Sequence, residues 1–105
     1  MKDQIKSLVL QNTFLPPSVP HGWGNGYVGV PPGHPWHGVD HMSIDCSVHG
    51  GLTYGTDHAP NFEPDGFYWV GFDTAHYQDN AVTCPKEYVE AETENLKQQA
   101  INVCP

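Results

Sequence analysis

The chain has 105 residues, enough for one compact domain with a modest core and too few for two. With 38% hydrophobic and 11% aromatic residues it holds enough apolar material to fold, which excludes a disordered segment despite 11 glycines and 10 prolines. Twelve acidic residues against four lysines and no arginine give a formal charge of −8; without guanidinium forks or a basic patch, direct nucleic-acid binding is not expected.

Residues 1–20 read as an N-terminal arm. Ile5, Leu8 and Val9 are spaced for a short helix, while the triplet Leu8-Val9-Leu10 fits an edge strand equally well. Leu15-Pro16-Pro17-Ser18-Val19-Pro20 then forces an extended, polyproline-like connector. Residues 21–82 form a turn-rich β region. Within it Asn25-Gly26 favours a tight turn leading into a strand at Tyr27-Val28-Gly29-Val30, and glycines there allow a backbone or ligand to come close. Residues 31–38 make a loop, and Val39 to Asp45 a further loop with room for one helical turn. Cys46 to Tyr54 reads as a strand interrupted at Gly50-Gly51, followed by a polar loop from Gly55 to Gly66 that suits a lid or rim. Phe67 to Phe72, aromatic and β-branched on both faces, is expected to be a central strand. The chain loops again from Thr74 to Asn80.

Residues 83–103 predict a helix, with Thr83 or Cys84 as cap, Pro85 in the first turn, and Val89, Leu96, Ala100 and Val103 along one face. The expected fold is a single α+β domain over 1–105: a small, mainly antiparallel sheet with one long C-terminal helix packed on it and a loop-rich middle. Cys46, Cys84 and Cys104 lack CxxC spacing, and a helix between Cys84 and Cys104 would hold them beyond disulfide reach. Reduced cysteines, the absence of a long apolar run and an opening MKDQIKSLVLQNTF without a signal-peptide core together predict a cytoplasmic protein that does not enter a membrane.

Seven histidines stand out, five of them beside glycine, proline or aspartate in predicted turns. The sharpest constellation is His49 at its glycine pair with Asp73 and His76 at the end of the aromatic strand. A carboxylate that holds an imidazole fixes its tautomer for acid–base chemistry or for metal ligation. His49, Asp73 and His76 are therefore the candidate catalytic residues, and equally the candidate ligands for a divalent transition metal such as zinc. His34, Trp36, Gly50, Gly51 and Tyr54 are candidate ligand-binding residues, with His34, His37 and His41 as further metal candidates. No HExxH or CxxC signature accompanies them, and each histidine has the competing role of bonding a turn carbonyl. Cys46, near His49, reads as a small buried hydrophobe and not as a nucleophile.

Four segments together, Gly22-Trp23-Gly24-Asn25-Gly26-Tyr27-Val28, Pro32-Gly33-His34-Pro35, Val48-His49-Gly50-Gly51-Leu52-Thr53-Tyr54 and Gly71-Phe72-Asp73-Thr74-Ala75-His76, resemble a family of small uncharacterised proteins encoded by bacteriophages and prophages. The resemblance covers residues 22–80. It implies an accessory factor in the cytoplasm of an infected bacterium, acting against host defence or host nucleotide metabolism, and it carries over no catalytic residue. Three functions follow as expectations. The first is a His/Asp pocket that binds and hydrolyses a small nucleotide-like ligand. The second is a non-enzymatic acidic module that blocks a basic host protein. The third is a virion or assembly component built as a symmetric homo-oligomer.

Overall fold

A computed structural model describes residues 1–16, 18–60 and 64–104. Among these residues four strands, β1 (Lys6–Gln11), β2 (Gly24–Val30), β3 (Tyr54–His58) and β4 (Pro64–Phe72), form one antiparallel sheet in the order β1-β2-β4-β3. The helix α1 (Lys86–Asn102) lies against β1 and β2. This is the α+β arrangement that the sequence predicts, with β4 in the sheet interior as expected.

Alternation along the two inner strands divides the core. Val28, Val30, Val70 and Phe72 are almost fully buried towards α1, where Val89, Leu96 and Ala100 meet them. Their neighbours Tyr27 and Trp69 turn to the opposite face and pack with Ala59, Leu8, Leu10, Tyr54 and Phe67. At Gly26 the helix comes close to the strand, because a Cβ there would strike the Thr93 hydroxyl and the Phe72 ring. Gly24, Asn25 and Gly26 accordingly lie within β2, and the tight turn expected at Asn25-Gly26 is not formed.

The N-terminal helix is also corrected. A single 3-10 turn at Lys2–Gln4 precedes β1, an edge strand paired with β2 from Lys6↔Gly29 to Gln11↔Gly24. Val9 packs into the helix-side core while Leu8 and Leu10 pack on the other face, a period of two that a helix cannot supply. A 3-10 turn at His41–Ser43 fills the place where one helical turn was expected.

A larger correction concerns residues 46–58. The strand is Tyr54–His58, which starts on the last residue of the expected strand and runs into the expected loop, whereas 46–53 is irregular. Cys46, Val48 and Leu52 do pack against the core in alternation. Their backbone, however, is held by helix side chains: Gln99 Oε1 accepts from Ser47 N–H at 2.9 Å, Gln99 Nε2 and Asn95 Nδ2 donate to Ser47 C=O, and Glu92 Oε1 accepts from His49 N–H at 2.8 Å. Alternating burial thus exists without a β ladder. Part of the lid or rim expected over 55–66 falls on Asn61–Glu63, and part of the polyproline connector on Pro17, outside the described residues.

The helix begins after Pro85, which has no side-chain cap bond, so neither Thr83 nor Cys84 caps it. Asn80 Oδ1 instead accepts from the backbone of Val82 and Thr83, a local turn that ends at Cys84. The buried stripe runs Val89, Thr93, Leu96, Ala100, and Val103 lies past the helix end with 42% exposure. All three cysteines are free. Among the described residues no helix is long and apolar enough to cross a membrane.

Candidate functional site

Three loops bring polar side chains to the N-terminal end of α1. The first is the turn at His49, closed by Gly51 N–H to Val48 C=O at 2.9 Å, with Gly50 (φ +67°) and Gly51 (φ +79°) in the left-handed region that glycine enters without strain. The second is the turn from His76 to Asp79, in which Asp79 N–H reaches His76 C=O and His76 N–H returns to Asp79 Oδ2, each at 2.9 Å. The third is the approach to the helix, which places Cys84 against Gly22. A Cβ at Gly22 would strike both Cys84 and Thr74, and Cys84 C=O accepts from Trp23 N–H.

Asp79 lies at the centre with its side chain 6% exposed. His49 Nε2 sits 2.9 and 3.0 Å from its two oxygens, and His76 Nδ1 is 2.8 Å from Oδ2. Both imidazoles donate to one carboxylate. Because the Asp79 carboxylate only accepts, the neutral His49 ring carries its proton on Nε2, and Nδ1 accepts from the Tyr88 hydroxyl at 2.8 Å. The two imidazoles meet edge to face with centroids 5.4 Å apart. Cys84 Sγ lies 3.6 Å from Asp79 Oδ1 and 4.0 Å from His49 Nε2.

Burial alone would push the Asp79 carboxyl up, but hydrogen bonds from the His49 side chain and from the His76 backbone and side chain outweigh it and bring the pKa down to about 2. Burial and the Asp79 charge push the Cys84 thiol up, so the sulfur keeps its proton and is no nucleophile. Burial and then the Glu92 carboxylate push the Tyr88 hydroxyl up as well.

A shallow pocket of about 380 Å³ opens above this network, lined by His49, Gly50, His76, Tyr77, Gln78 and Asp79. Tyr77 is 99% exposed at its edge. The His76 ring lies against Gly50, where any Cβ would collide with its Cε1 and Nε2 atoms. Asp73 Oδ1 sits 3.3 Å from His76 Nε2 but out of line for a hydrogen bond, which leaves a buried carboxylate oxygen unpaired.

Of the residues expected from sequence, His49 and His76 come together and Gly50 lies between them. Asp73 touches only the outer nitrogen of His76, so the carboxylate shared by both rings is Asp79 and not Asp73. His34 and Trp36 are corrected outright. Both are buried, with His34 Nδ1 accepting from Trp36 N–H and Nε2–H donating to Ala100 C=O at 2.7 Å. Ala100 is twelve residues along α1 from Tyr88, roughly 18 Å, so His34 ties down the far end of the helix. Tyr54 packs edge-on to Tyr27 at 5.2 Å in the opposite sheet face, and Gly51 completes the His49 turn without lining the pocket. His37 bonds Gly66 C=O, and His41 lies 3.6 Å from Asp40, both away from the network.

Sequence reasoning missed Asp79, Cys84, Tyr88 and Glu92. Tyr88 and Glu92 carried a usable signal, being one turn apart beside the buried helix stripe. Among the described residues, His49, Asp79 and Cys84 form the one group whose ligand atoms are close enough to share a metal ion. Comparison with family models, with curated proteins and with solved structures finds no match to this chain.

Proposed function

We propose that the chain is a phage accessory protein that binds and hydrolyses a small nucleotide-like ligand in the His49–His76 pocket. The observation that carries this reading is the Asp79–His76 pair: Nδ1–H of His76 is held by Asp79 Oδ2 at 2.8 Å, which leaves Nε2 as the proton acceptor. In the reaction Nε2 takes a proton from water, whose oxygen bonds to the electrophilic centre. The leaving-group oxygen departs with the bonding electrons and receives that proton from the imidazolium. His49 braces Asp79 from the other side, and the exposed Tyr77 ring offers a stacking face for a base.

Incubation with a panel of linear and cyclic nucleotides, followed by product analysis and melting, tests the reading. Turnover should fall about 10²–10⁴-fold in His76→Ala. Tyr77→Ala should weaken binding by roughly 1–3 kcal/mol with the fold unchanged. If no nucleotide shifts the melting temperature and His76→Ala matches the wild type, the reading fails. A second reading, a non-enzymatic acidic module for a basic host protein, draws support from the exposed Glu87, Glu90 and Glu94 on the outer side of α1.

A further inference from the structure

We propose that His49 Nε2, Asp79 Oδ1 and Cys84 Sγ are the three protein ligands of a divalent transition-metal ion of zinc type, whose fourth position faces the His49–His76 pocket. This goes beyond the acid–base reading and stands or falls without it.

The argument starts from distances. Zinc bonds of ~2.0 Å to nitrogen and oxygen and ~2.3 Å to sulfur set tetrahedral edges of roughly 3.3 Å for N···O and roughly 3.5 Å for both S···O and N···S. The observed edges are 2.9, 3.6 and 4.0 Å. The departures from the tetrahedral values are about 0.4, 0.1 and 0.5 Å, closed by small side-chain rotations. A thiolate, an imidazole and a carboxylate form a mixed donor set that favours zinc over magnesium or calcium, which take oxygen.

The surroundings fit the same ion. The Tyr88 hydroxyl at His49 Nδ1 can either donate or accept, so when the metal takes Nε2 the proton resides on Nδ1 and is donated to the Tyr88 oxygen. Asp79 Oδ2 remains with His76, which orients the ligating carboxylate. Two of the three ligands, His49 and Asp79, line the pocket, and the third, Cys84, is buried behind Asp79 with its sulfur 3.6 Å from Oδ1. Three protein ligands and an open side describe a site that binds water or a pocket ligand on the metal, unlike a closed structural site with four protein donors. Loading replaces the Cys84 S–H proton by an S–metal bond. The His49 proton only changes nitrogen, so one proton is released per ion.

Cobalt(II) titration of tag-free, chelator-stripped protein tests this. One equivalent should bind per chain, with a thiolate-to-cobalt charge-transfer band and the visible spectrum of a tetrahedral ion, and zinc should displace it. The double variant Cys46→Ser/Cys104→Ser, which leaves Cys84 as the sole thiol, should retain the band. Tyr88→Phe should weaken affinity by about 10-fold or more. His76→Ala should keep the stoichiometry and the band even where it abolishes nucleotide turnover, which separates this proposal from the acid–base reading. Absence of the charge-transfer band in the wild type, or its loss in the double variant, overturns the proposal. So does a band that survives in a folded Cys84→Ser protein.

Discussion

The Asp79 carboxylate accepts from two imidazoles and one backbone amide, and its pKa of about 2 turns those bonds into a stability that depends on pH. A carboxyl lowered from 3.8 in the unfolded chain to about 2 in the fold contributes on the order of 2 kcal/mol, present in full above the unfolded value. That contribution fades as pH falls from about 4 through about 2, where the folded state also takes up the proton. Urea unfolding of metal-free wild type and Asp79→Asn should therefore differ by about that amount at pH 7 and converge near pH 2; an equal gap at both pH values would refute the assignment. At this scale the sequence was legible only in kind. An excess of histidine marked the chain, yet His34 proved to be a helix-end tether and His49 a ligand-competent group. Partners 30 to 66 residues away decide which is which, and no local pattern encodes them.

Elements were legible where a strand or helix satisfies its own rules, as β4 and α1 do, and obscure where one element completes another. Residues 46–53 alternate apolar and polar like a strand, but their backbone groups go to Gln99, Asn95 and Glu92 on α1, which binary patterning cannot foresee. The Gly50-Gly51 pair was legible as a break, and its use can be separated by substitution. Both glycines have positive φ, so alanine at either position costs about 1–2 kcal/mol of backbone strain. Only at Gly50 does the added Cβ also strike the His76 ring, since nothing lies within 4 Å of one at Gly51. Gly51→Ala should thus lose stability alone. Gly50→Ala should lose stability together with any ligand-induced melting shift, and equal ligand responses in the two variants would remove His76 from the pocket.

At the scale of the whole molecule, a formal charge of −8 is spread over a body of 43 × 26 × 23 Å. The Debye length is about 30 Å at 0.01 M salt and about 3 Å at 1 M, so the full charge acts on the pocket at the first and only near neighbours at the second. That field attracts cations and repels nucleotides, and the two proposed occupants must respond to salt with opposite sign. Cobalt affinity should fall several-fold as sodium chloride rises from 0.01 to 1 M, with the thiolate band intact. Nucleotide affinity should rise over the same range until the repulsion is screened, then level off. A basic host protein held by Glu87, Glu90 and Glu94 would follow the cation and elute as salt increases, so co-purification from lysate at the two salt levels separates the acidic-module reading from the pocket reading. Nucleotide binding that weakens with salt would mean that the ligand meets a cationic group, and a metal ion at His49, Asp79 and Cys84 would supply one inside an otherwise acidic pocket.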